Sequence, residues 1–258
     1  MMVSNVLLED TAMHTYRLTL SYDGSRYNGW QKQGNTKNTI QEKLETLLTR
    51  LTGEEVEVNG SGRTDAGVHA MGQVASFRTT KPQNVETLLA DIRRYLPEDI
   101  GALELSEAEP RFHARLNAVG KTYVYRVWTG EAPNVFERKF LYTVTEPLDR
   151  AAMEQAAKHF LGTHDFMSLC ANKRMKKSTV RTITDLRIEA IGHELRFTVS
   201  GDGFLYNMVR ILVGTLLEVG MGKRSPDSIP ALLDAKDRSQ AGYLVPPHGL
   251  RLEAVYYD

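Results

Sequence analysis

The run TITDLRIEAIGHELRFTVSG, residues 182–201, reads as a β-hairpin. Apolar residues alternate with polar ones in both arms, and Gly192-His193 supplies the turn. Upstream, KTYVYRVW (121–128) is a further strand, and Asp149 caps a helix carrying Met153, Ala156, Ala157 and Phe160 on one side. Downstream, a long helix is expected from about Phe204, a short one from about Ser228 to Leu233, then a closing strand, LRLEAVYY. The first half has the same order. The strand HTYRLTLSYDG leads to a helix from Thr39, with Ile40, Leu44, Leu47, Leu48 and Leu51 on one stripe and Thr39 with Glu42 as a capping box. A strand at Glu55 to Asn59, a Gly-rich turn and a strand through GQVASF follow. A second helix runs from about Val85 to Leu96, with Leu88, Leu89, Ile92 and Tyr95 inward, and Pro97 stops it.

This repetition predicts an α+β fold. Two similar α/β-sandwich halves share one continuous mixed, mainly antiparallel sheet, with helices packed on it and a central cleft as the expected site. The expected divisions are an N-terminal extension at 1–14, a first half at 15–117 and a second half at 118–258.

The composition is that of a globular chain: 258 residues, 41% hydrophobic and 25% charged, enough to bury one large core or two smaller ones. Lys and Arg number 32, as do Asp and Glu, so no global field points to nucleic acid. The one cysteine, Cys170, excludes an intrachain disulfide framework and a thiolate metal cluster, and fits a reducing cytoplasm. The first residues lack the cationic and apolar regions of a secretory signal. The most apolar helical stretch, Leu205 to Val219, is interrupted by Asn207, Arg210 and Glu218 and is too short for a membrane span.

Charge by segment says more than the total. Arg111 to Arg126 holds Arg111, Arg115, Lys121 and Arg126 without an acid. Phe166 to Thr184 holds Lys173, Arg174, Lys176, Lys177 and Arg181, again without an acid, whereas Lys81 to Pro110 holds seven acids and three bases. Such segregation either builds a phosphate-binding face or marks solvated surface loops.

The densest cluster of unusual residues is Gly60-Ser61-Gly62-Arg63-Thr64-Asp65-Ala66-Gly67-Val68-His69-Ala70. Three glycines in eight residues imply positive φ angles or close backbone approach. Either this is a surface turn capped by Asp65, or Asp65 and Arg63 are displayed for chemistry. Arg210 favours the second reading. The helix around it is apolar on nearly every side, and a buried guanidinium requires an anion, for which Asp65 is a suitable partner. An aspartate held between Arg63 and Arg210 should stay ionised through a lowered pKa, which suits a nucleophile. Tyr123 and Tyr125 share a strand face and either stack on a planar base or form a core pair.

Several chemistries are disfavoured. His69, His113, His164 and His248 lack metal-ligand spacing, and no HExxH, GxxxxGK[ST] or GxSxG pattern occurs, so no metal is expected. The loop also has one carboxylate, not the two that hydrolytic glycosidases use.

The run GSGRTDAGVHAMGQVASF resembles the signature loop of the tRNA pseudouridine synthase A family. The likeness extends through YDGSRYNGWQKQ, TIQEKLETLL, FHARLNAVGKTYVYRV, LGTHDFMSL and GDGFLYNMVRILVGTLLEVGMGK, leaving out only residues 1 to about 14. It implies a homodimeric, cofactor-free cytoplasmic isomerase that converts uridine to pseudouridine in the anticodon stem-loop of tRNA, at positions 38, 39 and 40. It implies Asp65 as nucleophile, Arg63 and Arg210 as residues that set its environment, and Tyr123 as a stacking platform for the target base. The basic residues Lys173, Arg174, Lys176, Lys177 and Arg181 would meet the tRNA body. A stacked uridine must first be flipped out of the helix. The carboxylate then attacks C1′ of the ribose or C6 of the base, the N1–C1′ bond breaks, and the uracil rotates to bond through C5. The group that takes the C5 proton is open, with Tyr123 one candidate.

Two departures from the family pattern, Leu169-Cys170 and Leu244-Val245, bear on substrate preference. The rival readings are a non-catalytic RNA-binding module and a nucleoside or glycoside hydrolase.

Overall fold

The computed structural model describes residues 13–172 and 175–258; most of the expected N-terminal extension, together with Lys173 and Arg174, lies outside the described residues. In chain order the elements are β1 (His14–Tyr22), α1 (Ile40–Thr52), β2 (Asn59–Gly60), β3 (His69–Thr79), α2 (Val85–Tyr95), β4 (Ile100–Ala108) and β5 (Ala118–Trp128). They continue with β6 (Tyr142–Thr143), α3 (Arg150–Lys158), β7 (Gly162–Asp165), β8 (Val180–Ile191), β9 (Glu194–Gly201), α4 (Met208–Gly220), α5 (Ile229–Ala235) and β10 (Leu250–Tyr257).

The strands form one ten-stranded sheet in the order β4-β1-β3-β10-β5-β9-β8-β7, with β2 added to β3 and β6 to β5. Among the described residues only β10–β3 and β5–β6 pair in parallel, so the sheet is mixed and mainly antiparallel, as the sequence led us to expect. β10 joins β4, β1 and β3 to β5, β9, β8 and β7. It runs beside β3 through Arg251 and Leu252 and antiparallel to β5 from Leu250 to Tyr257. Helices pack on this sheet through one continuous core that includes Tyr16, Leu18, Leu44, Ile92, Tyr125, Phe160, Phe197 and Leu212.

Local chemistry accounts for most of the elements. Thr39 Oγ1 accepts from the Glu42 amide at 3.3 Å, and Gly53, at φ +75°, closes α1 in a left-handed turn. Asn84 and Asp149 cap α2 and α3 in the same way. The turn between β8 and β9 lies at Gly192-His193, with Gly192 at φ +60°.

Three expectations need correction, and the strands β4, β6 and β7 form where none was expected. The strand expected at Glu55 to Asn59 shrinks to Asn59–Gly60. The amides of Val56 and Val58 are taken by α1 side chains, Thr49 Oγ1 and the Glu45 carboxylate, so this segment has no need of a ladder. β4 was not foreseen. It is an edge strand whose Ala102 and Leu103 carbonyls accept from the Arg93 guanidinium of α2. Tyr95 faces outward, 48% exposed, beneath the guanidiniums of Arg50 and Arg94, while Leu96 turns in after the helix ends. Finally, α4 starts at Met208 rather than near Phe204, because Asn207 holds a left-handed conformation, φ +62°.

Candidate active site

The segment joining β2 to β3 is fixed almost residue by residue. The Ser61 amide donates to Val74 O at 2.7 Å and Ser61 Oγ to Gln73 Oε1 at 2.6 Å. Gln73 Nε2 donates to Gly62 O at 3.0 Å, and Lys121 Nζ to Ser61 O at 2.7 Å. Tyr22 OH and Thr64 Oγ1 share a hydrogen bond of 2.8 Å, and the amides of Trp30 and Val68 donate to the carbonyls of Thr64 and Asp65. A loop clamped this way is a framework and not a solvated turn.

Gly29 allows the approach of the segment that carries Asp65. It has φ +89°, and a Cβ there would lie 2.7 Å from Thr64 O and 3.1 Å from the Ala66 amide. Gly29→Ala is therefore expected to cost about 2–4 kcal/mol from strained φ and backbone overlap combined. Urea unfolding monitored by circular dichroism checks this, and a loss below 1 kcal/mol would contradict the close approach.

Asp65 projects from this frame towards α4. Its Oδ2 meets Arg210 Nη1 at 3.4 Å, so the loop before β3 and helix α4 come together at an ion pair. Arg210 is well held, since its Nε donates to Val245 O at 2.8 Å and its Nη1 to Asn207 Oδ1 at 3.0 Å. The left-handed Asn207 thus places an acceptor beside the guanidinium. Arg63 has a different position. It is exposed and has no hydrogen bond or ion pair among the described residues, so Arg210 alone contacts the carboxylate.

The protonation of Asp65 also differs from expectation. Burial pushes its carboxyl above the ordinary range, with Arg210 opposing this in part. A single contact at 3.4 Å does not offset removal of the carboxylate from water. The downward shift expected from two flanking arginines is corrected accordingly.

Tyr123 is 8% exposed and packs edge-on to Phe204, with ring centroids 5.2 Å apart and planes at 84°. Burial, then the neighbouring Tyr22 and Asp65, hold its phenol well above its ordinary value, so it is neutral at physiological pH. Tyr125, in contrast, is a core residue. It is fully buried, donates to Pro246 O at 2.8 Å, and lies so close to Gly249 that a Cβ there would be 2.6 Å from its ring. It is not available to stack on a base.

The basic stretches divide too. Lys176 and Lys177 are exposed, and Arg181 donates to Ser178 O and lies over Gly203, the residue before Phe204. Arg126 is bound by Glu194 and Glu137. It lines a separate pocket of about 360 Å³ with His69, Phe140 and Arg251, in which Arg251 is engaged by Glu253. Leu169 and Cys170 are buried, Val245 supplies the carbonyl for Arg210, and Leu244 is 40% exposed. The sequence reading missed the supporting roles of Gln73, Asn207 and Val245 and the contact of Lys121 with the loop. A polar Gln73 amid the apolar run of β3 was the available signal.

Among the described residues, no group of three or more His, Cys, Asp or Glu side chains is placed to hold a metal ion, and no helix is long and apolar enough to cross a membrane.

A family model described as tRNA pseudouridine synthase matches residues 19–116 and 156–258. The tRNA pseudouridine synthase A 2 of Clostridium perfringens is 46% identical over 245 residues, covering 95% of this chain and all of that relative. The tRNA pseudouridine synthases A of a Bacillus species (strain KSM-64) and of Acetivibrio thermocellus are each 44% identical over the same shares. The match includes the clamped loop that carries Asp65 and the helix that carries Arg210, and on this ground the chain belongs to the tRNA pseudouridine synthase family and is an isomerase.

Proposed function

We propose that the protein isomerises uridine to pseudouridine at positions 38, 39 and 40 of the tRNA anticodon stem-loop, with Asp65 as the nucleophile. The observation that carries this reading is the Asp65–Arg210 pair, one carboxylate on a rigid loop beside one well-anchored cation. The two halves, 15–117 and 118–258, each contribute one of its members. The protein acts as a cytoplasmic homodimer, without a cofactor.

The target nucleotide leaves the helical stack, and the exposed Arg63 fills or holds open the space it vacates. The uracil lies against Tyr123. The Asp65 carboxylate adds to C1′ or to C6, the N1–C1′ bond breaks, and the ring turns while it remains trapped. C5 then bonds to C1′ as the carboxylate is released, the C5 proton leaves, and N1 takes up a proton. Every heavy atom of the substrate is retained, so the residues act by holding and orienting the cleaved base.

Carbodiimide adduct mapping of tRNA incubated with the protein tests this reading. Adducts at positions 38–40 are expected; unmodified tRNA would refute the assignment, and free uracil with an abasic ribose would indicate a hydrolase. Neutralising Lys173, Arg174, Lys176 and Lys177 together should weaken tRNA binding and lower its dependence on salt by about three to four in slope. Filter binding across a salt series measures this, and an unchanged slope would mean that the run does not meet phosphate.

A further inference from the structure

Lys121 differs from other part-buried cations of this protein. Arg126 meets Glu194 and Glu137, Arg210 meets Asp65, and Arg224 meets Glu218. Lys121 has no carboxylate within 4.0 Å among the described residues; its one hydrogen bond runs from Nζ to Ser61 O. An ammonium has three donors, so this bond leaves two of them for other partners. Burial and the like charge of Arg115 press on it, and the group is lowered to about 8. A lysine in this state lacks a counter-ion, and an incoming anion would satisfy it.

Its position indicates which anion. Lys121 and Tyr123 stand two residues apart on β5, on the same side of the strand and about 7 Å apart along it. Ser61, which accepts from Nζ, lies four residues before Asp65 on the clamped loop. Gly62 of the same loop lies against the ammonium, and a Cβ there would come within 2.9 Å of Nζ.

We propose that Lys121, with Arg115 beside it, binds a backbone phosphate of the substrate RNA next to the target nucleotide. This rests on the reading that the protein acts on RNA. The phosphate supplies the missing counter-ion, and the contact couples binding of the strand to the loop that holds Asp65. A compact ammonium suits this task, because it meets a phosphate as a point charge.

The test is NMR of the full-length protein carrying ¹³C-labelled lysine, titrated with pH, free and bound to an anticodon stem-loop RNA. The Lys121 signal should titrate near 8 in the free protein and above about 9.5 in the complex. In steady-state kinetics on tRNA, Lys121→Gln should raise KM about tenfold with a smaller change in kcat, and should lower the salt slope of binding by about one. Lys121→Arg should recover most of the lost KM. A Lys121 titration unmoved by RNA, in protein that still forms pseudouridine, would overturn the proposal. So would a Lys121→Gln variant that folds and loses kcat with KM and salt slope unchanged, since Lys121 would then only brace the loop. Failure of the unmodified protein to form pseudouridine would refute the proposed reaction instead, and the NMR shift on RNA binding is read independently of it.

Discussion

Asp65→Asn is expected to lower pseudouridine formation by at least about 10⁴-fold while tRNA affinity stays within a few-fold of the unmodified protein. The amide keeps the shape of the side chain and its contact with Arg210 but cannot form the covalent link. The same substitution should stabilise the protein. Burial raises the carboxyl pKa in the folded state above its unfolded value. Stability linked to this group is therefore present below the unfolded value and is lost as pH rises through the raised folded one. Above the raised value the ionised carboxylate weakens the fold, so replacing it should raise Tm at neutral pH. Adduct mapping, filter binding and thermal melts of one preparation report all three quantities. Turnover near that of the unmodified protein would remove Asp65 from the chemistry, and a lower Tm would mean that the charge is well paired.

Arg210→Met is expected to reduce kcat by on the order of 10²-fold at neutral pH and to move the acid limb of the kcat profile upward. Arg210 is the group that opposes the effect of burial on Asp65, and without it the carboxyl rises further. The carboxylate also loses the contact that fixes its direction, and small misplacements at a reacting centre are costly. The substitution should lower stability by about 2–3 kcal/mol, because Val245 O and Asn207 Oδ1 each lose a charged donor. Arg210→Lys keeps the charge but cannot reach the carbonyl, the amide oxygen and the carboxylate together, and should fall between the two. A kcat profile whose acid limb does not move in Arg210→Met would show that the pair does not govern ionisation of Asp65.

What could be read from the sequence was what neighbouring residues settle among themselves. The Thr39 cap, the Asp149 cap and the turn at Gly192-His193 depend on a few adjacent side chains, and these elements form where they were expected. Residues 55–58 and β4 depend on distant partners. Glu45 and Thr49 take the amides that would have made a strand, and Arg93 of α2 supports the outer edge of β4. The same division holds at the site. The glycine-rich loop and an arginine in an apolar helix both stand out in the chain, and the structure brings Asp65 and Arg210 together. The exposure of Arg63, the burial of Tyr125 and the direction of the Asp65 shift depend on how much water reaches each group. Residue type and spacing do not encode that.

The central position of β10 has a consequence for how the protein is made. Pairing Arg251 with His69 closes a chain loop of 182 positions (251 − 69), among the least local contacts in the sheet. Until residues 250–257 have been synthesised, β3 at His69–Ala70 and β5 along residues 118–125 present unfilled edges to other chains. The nascent protein is therefore most prone to aggregate just before the strand that completes it is inserted, and a holding chaperone would help it most at that stage.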